Sequence, residues 1–193
     1  MATDNDQFWR NVGPTLKKFG LMLYTKGMDA EGVFIYKFLR QKYQDSIHTL
    51  VLQAAEDGDN FSIRSLVCLG DDINIGDIIQ RSSPIHLAAW QGHADTVRLL
   101  AQLGGYVDGR DLLDGTPMHM AADNGHIEVV RVLNELGSDV NGRNKYGQTP
   151  MMLAVHRGHG EAIGVLKELG ADVNIRDDCE TTPMHIAAEN GDC

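Results

Sequence analysis

The chain has 193 residues, 42% hydrophobic and 23% charged, a composition that argues for a folded chain and against disorder throughout. Its formal charge of −10 is unevenly placed: residues 1–47 carry 7 Lys/Arg and 5 Asp/Glu, residues 48–193 carry 10 and 22, so the second part alone stands at −12. A surface that acidic repels phosphate backbones, which argues against nucleic acid and anionic membranes as partners, and no stretch has the apolar length of a membrane span.

Residues 1–47 form a first segment with its own pattern. Phe8, Trp9, Val12, Leu16 and Phe19 recur at helical spacing, as do Val33, Phe34, Tyr36, Phe38 and Leu39 after a start at Asp29, and a glycine-bearing break separates the two runs. Two helices are predicted. The N-terminus lacks a basic segment followed by an apolar run and a small-residue cleavage site, so no secretory signal is expected and the setting is intracellular, cytoplasmic ahead of nuclear. Cys68, Cys179 and Cys193 form no close pair and fit reduced thiols, with Cys68 expected in the core and Cys179 on an exposed tip.

From residue 82 onward a helix-opening dipeptide returns every 33 residues: Ser83-Pro84, Thr116-Pro117, Thr149-Pro150 and Thr182-Pro183. Each unit assigns its residues physical tasks. Thr116 is an N-cap whose hydroxyl accepts a backbone N–H, and Pro117 presets φ at the first helical position, where its missing N–H costs nothing. Ala121 and Ala122 are small enough for a neighbouring helix to approach closely. Gly125 ends the first helix in a left-handed conformation. Ile127, Val130 and Leu133 face a core from the second helix, Gly137 ends it, and the polar run to Gln148 makes a projecting hairpin. An earlier copy is visible at 34-residue offset: Ala54-Ala55, Gly58, Leu69-Gly70 and Asn74 match Ala88-Ala89, Gly92, Leu103-Gly104 and Asp108, with Thr49-Leu50 replacing Thr-Pro.

In register the copies read SPIHLAAWQGHADTVRLLAQLGG, TPMHMAADNGHIEVVRVLNELGS, TPMMLAVHRGHGEAIGVLKELGA and TPMHIAAENGDC, and they resemble the ankyrin repeat almost residue for residue. The resemblance implies an all-α ankyrin-repeat solenoid over 48–193, with repeats at about 49–81, 82–114, 115–147 and 148–180 and a truncated fifth from 181. Residues 1–47 are then expected to be a helical N-terminal cap over the first repeat, since solenoid ends need covers. The fifth repeat stops before its second helix, so the chain is expected to be a fragment of a longer protein or to have that face covered by a partner.

Position accounts for most histidines. By the resemblance, His86, His119 and His185 in the TPxH slot hydrogen-bond within the stack, and His93, His126 and His159 occupy the GH slot at the turn between helices. His48 and His156 lie outside these slots, and neither has ligand-type neighbours at a metal-site spacing. There is no glycine-rich phosphate loop, no nucleophile elbow and no Cys/His pairing in a recognisable register. The expectation is therefore no enzyme, no catalytic residue, no metal and no cofactor.

The resemblance implies protein–protein interaction through the hairpin tips and the exposed face of the first helices. The tips carry Ile78-Ile79, Leu112-Leu113, Lys145-Tyr146 and Asp178-Cys179, and the first helices present Glu56, Trp90, Asp123, His156 and Glu189. Trp90, Ile78, Ile79, Leu112, Leu113, Tyr146, Asp123 and His156 are the expected partner-binding residues, against the alternative that the aliphatic tips fold back on one another. A protein partner with a basic segment suits the acidic array. Asn74, Asn141 and Asn174, each eight residues after a leucine, match the pattern that an asparaginyl hydroxylase recognises in animal ankyrin repeats; the favoured reading is an asparagine holding its hairpin by local hydrogen bonds. Two other roles are carried alongside the scaffold or adaptor: a regulatory or targeting ankyrin domain of a larger enzyme or channel, and a self-associating structural repeat protein.

Overall fold

A computed structural model describes residues 44–68, 71–77 and 79–191. Its helices come in antiparallel pairs: α1 (Gln44–Glu56) with α2 (Asn60–Cys68), α3 (Pro84–Gln91) with α4 (Ala94–Gln102), α5 (Pro117–Asp123) with α6 (Ile127–Glu135), and α7 (Pro150–Arg157) with α8 (Gly160–Glu168). A final helix, α9 (Pro183–Asn190), opens the next unit. Among the described residues there is no β-strand. The two predicted helices before residue 44 and the expected cap lie outside the described residues, as do Ile78 and Cys193, and the structure says nothing of the side chain of Cys68.

All four prolines of the 33-residue register open a helix behind an extended N-cap residue, Ser83, Thr116, Thr149 or Thr182. The first unit lacks that signal, because Leu50 stands where the proline would be. Nothing starts a helix there, and α1 runs unbroken from Gln44 through the 47/48 division to Glu56.

Within each pair the chain turns on a left-handed glycine. At Gly92 (φ 84°) the need is double: a Cβ would sit 2.8 Å from Nδ1 of His126, the histidine of the next repeat. That close approach lets His126 donate its Nε2–H to the carbonyl of Trp90 at 2.9 Å. His93 and His159 make the same bond to Glu56 and Asp123, so the GH histidines tie each turn to the previous first helix.

First helices stack on first helices from α1 to α9, and second helices pack behind them. Ala88, Ala89, Ala121, Ala122 and Ala154 are fully buried, so helix axes come together with nothing larger than a methyl between them. Val97, Leu100, Val130, Leu133 and Leu166 complete the core from the second helices. The core stripe of α6 differs slightly from the expected one: Val129 and Val132 are fully buried, whereas Ile127, at the first helical position, is half-buried.

Behind the core, Arg98 pairs with Glu135 at 2.7 Å and Arg131 with Glu168 at 3.3 Å, each bridging one second helix to the next. Both arginines of α4 and α6 on this outer face are thus paired with a glutamate of the following second helix. On α9, Met184 is 70% exposed, although Met118 and Met151 in the equivalent positions are buried against the following repeat.

Candidate partner-binding surface

The hairpin tips are built on an acid or amide that folds the backbone around itself. Asp77 Oδ1 accepts the N–H of Ile79 and Gln80, Asp111 Oδ1 those of Leu113 and Gly115, Asn144 Oδ1 those of Tyr146 and Gln148, and Asp177 Oδ1 those of Cys179 and Thr181. With its donors met by the turn, each tip points its next side chains outward. At Asp77 desolvation raises the carboxyl pKa, but the N–H groups of Gln80, Ile79 and Ser82 together outweigh it and hold the group below its usual range.

Consecutive tips are joined by single backbone bonds, Leu112 N–H to Gln80 O at 2.8 Å, Lys145 N–H to Leu113 O at 2.9 Å and Asp178 N–H to Tyr146 O at 3.0 Å. The tips therefore stand in one row. Ile79 is 80% exposed, Leu112 56% and Tyr146 51%, with Leu113 also exposed, so these three aliphatic side chains are not folded back onto neighbouring tips. The Lys145 ammonium lies 5.0 Å from the centroid of the Tyr146 ring, a geometry that draws cation and ring together.

A second row runs along the first helices. Trp90 and His156 are exposed, whereas Asp123 is half-buried and its carboxylate is occupied by a two-pronged pair with Arg157 at 2.8 and 3.0 Å. That pair raises the Arg157 pKa, first through the hydrogen bond and then through charge. Glu56 accepts the amide N–H of Gln91 at 3.3 Å, and Glu189 is exposed. One helical turn nearer the hairpins, Leu87, Met120 and Leu153 are half-buried. The Met120 methyl lies 3.1 Å from the place a Cβ on Gly115 would take, so at Met120 this apolar strip meets the base of its hairpin.

The asparagines act as clamps. Asn74 donates to Gly104 O at 3.1 Å and accepts from Tyr106 N–H at 2.9 Å; Asn141 donates to Gly170 O at 3.2 Å and accepts from Asp172 N–H at 2.8 Å. Asn174 bonds within its own hairpin, to Asp172. Sequence reasoning missed Tyr106, which is 67% exposed. It takes the position held by Asp72, Asp139 and Asp172, each of which accepts the N–H of the residue two places on, and comparing that one position across the repeats would have exposed it.

Cys179 is a free, exposed thiol on the fourth tip. Among the described residues no His, Cys, Asp or Glu group is arranged to hold a metal ion, and no helix is long and apolar enough to cross a membrane. A comparison with curated proteins finds no match. The family model described as ankyrin repeats (3 copies) matches residues 51–144 and 134–193. With helix pairs, left-handed turns, capping histidines and hairpin tips recurring in that register over most of its length, the chain belongs to the ankyrin-repeat family.

Proposed function

We propose that the array is an intracellular scaffold or adaptor that binds a partner protein across its hairpin tips and the adjoining face of its first helices. Ankyrin repeats are in general non-catalytic modules of protein–protein interaction. The observation that carries the finer reading is the contrast between two faces of one solenoid. The outer face pairs Arg98 and Arg131 with glutamates, whereas the tips hold Ile79, Leu112, Leu113 and Tyr146 out of the core with Trp90 exposed on the helices nearby. Apolar and aromatic groups kept in water in one row mark a contact surface.

The test is a Trp90→Ala, Tyr146→Ala double substitution read against the cellular partner by calorimetry. Affinity is expected to fall by several kcal/mol, because hot-spot aromatics cost about 2 kcal/mol or more each. The far-ultraviolet spectrum should stay unchanged, and Arg98→Ala with Arg131→Ala on the outer face should leave affinity intact. Equal affinity of the Trp90/Tyr146 variant would overturn the assignment.

A further inference from the structure

We infer that the occupant of this surface is an amphipathic α-helix with an apolar stripe and a basic flank, a reading that rests on the proposed contact surface and specifies its ligand. Three observations on the same face carry it: the advance of the tips, their width, and the charge of the row beyond them.

The tips advance with the stack of first helices, and helices packed through small side chains lie about 8–10 Å apart. A partner must therefore repeat its apolar groups at that interval. Same-face residues of a β-strand recur at about 6.6 Å and then about 13 Å, so a strand falls out of step after one tip. An α-helix returns to about the same face after seven residues, a rise of about 10.5 Å, which is close to the upper end of that interval.

A polyproline helix also advances by about 9 Å per turn, but it offers one side chain per turn and seats best in aromatic-lined grooves. Here the tips are wide and largely aliphatic. The second presents Leu112 and Leu113 side by side, and the third presents Tyr146 beside Lys145. The neighbouring Leu112 and Leu113 of the second tip match the paired a and d positions of a helical heptad, with Ile79 and Tyr146 giving one further apolar or aromatic group on the tips either side.

The strip of Leu87, Met120 and Leu153 between the rows gives the stripe a floor. Beyond it, the first-helix row carries Glu56 and Glu189 and no lysine or arginine of its own, while Asp123 is neutralised by the adjacent Arg157. A helix lying with its apolar face on tips and floor turns one flank toward these carboxylates, and lysines or arginines on that flank complement them.

The experiment uses the full chain and three 21-residue peptides labelled at one end. The first has leucine at heptad positions a and d and lysine at e and g; the second replaces those lysines by glutamate; the third keeps the lysines and sets a proline at its centre. Anisotropy titrations are expected to show the lysine helix binding at least tenfold tighter than either of the others, and Leu112→Ser with Leu113→Ser should weaken it at least tenfold. Glu56→Gln with Glu189→Gln should narrow the preference for lysine over glutamate, while Arg98→Ala with Arg131→Ala should change nothing. No binding by the lysine helix, equal binding of the glutamate helix, or tighter binding of the proline peptide would overturn the inference. Amide shifts under saturating peptide keep the two levels separate. Shifts confined to the tips and first helices without the charge or helix preference leave the surface standing and remove the helix, whereas shifts on α4, α6 and α8 remove the surface as well.

Discussion

The Nε2 of His119 lies 3.0 Å from the carbonyl oxygen of Gln148, 29 residues on and in the next hairpin, while its Nδ1 accepts the N–H of Thr116 at 3.1 Å. One neutral ring thus caps its own helix and fastens the following repeat. His86 does the same between Ser83 and the carbonyls of Gly109 and Gly115. Nε2 must carry the proton, since a carbonyl only accepts, and Nδ1 must stay bare to receive the cap N–H.

That arrangement predicts acid sensitivity. Burial, the largest influence, pushes the pKa of both rings below 6.5, against the raising effect of the carbonyls they bond. Between the depressed folded value and the unfolded value near 6.5 the unfolded chain binds more protons, so stability rises with pH there. The contribution is fully present above about pH 6.5 and is lost as the pH falls from there through the folded pKa. Melting temperatures should be level from pH 7 to 8 and decline below pH 6. His119→Met, which copies the buried Met152 of the fourth repeat, should lower stability by about 1–3 kcal/mol at pH 7.5 and shallow the acid decline. An unchanged slope in the variant would show that the decline comes from other groups.

The fourth repeat should be the softest of the complete ones. Gly160 and Gly164 lie in α8, neither has positive φ, and a Cβ at either would meet nothing within 4 Å. Each glycine therefore costs helix stability, about 0.5–1 kcal/mol relative to alanine, with no packing benefit in return. Gly164→Ala, in the middle of the helix, should recover that amount in chemical denaturation, and Gly160→Ala, at its first turn, less. Hydrogen exchange should be faster over 150–170 than over 117–136, and equal protection of the two segments would contradict this.

The repeat frame was legible because its punctuation is local. Pro84, Pro117, Pro150 and Pro183 each fix one φ and forgo one N–H, which marks a helix start whatever surrounds it. What the sequence left unread is held by bonds between repeats. That Leu112 and Leu113 stay exposed depends on Asp111 filling their turn and on Gln80 and Lys145 joining the tips, a relation across more than thirty residues. The pairing of Asp123 with Arg157 was hidden for the same reason: the two are neighbours only once α5 and α7 stack. Tyr106 was missed for want of a comparison, since an aspartate holds its place in the other repeats.

Asn141 and Asn174 provide a matched pair for measuring what one inter-repeat clamp contributes. Both follow a second helix at the same position of their repeats, and both are followed by a short hairpin. They differ in what faces them: the Asn141 amide bridges to Gly170 O and Asp172 N–H of the next repeat, while the Asn174 amide reaches only Asp172 of its own. Hydrogen bonds of this kind contribute about 0.5–1.5 kcal/mol each. Asn141→Ala is therefore expected to cost about 1–2 kcal/mol in chemical denaturation, toward the lower end because the group is only half-buried, and Asn174→Ala close to nothing. Asn141→Asp should be nearly as costly as the alanine, because it keeps the acceptor, loses the donor to Gly170 and sets a carboxylate among Asp139 and Asp172. If Asn141→Ala and Asn174→Ala proved equally mild, the coupling between the third and fourth repeats would have to reside in helix packing and in the other bonds that join them, those of His159 and Arg157 to Asp123 among them.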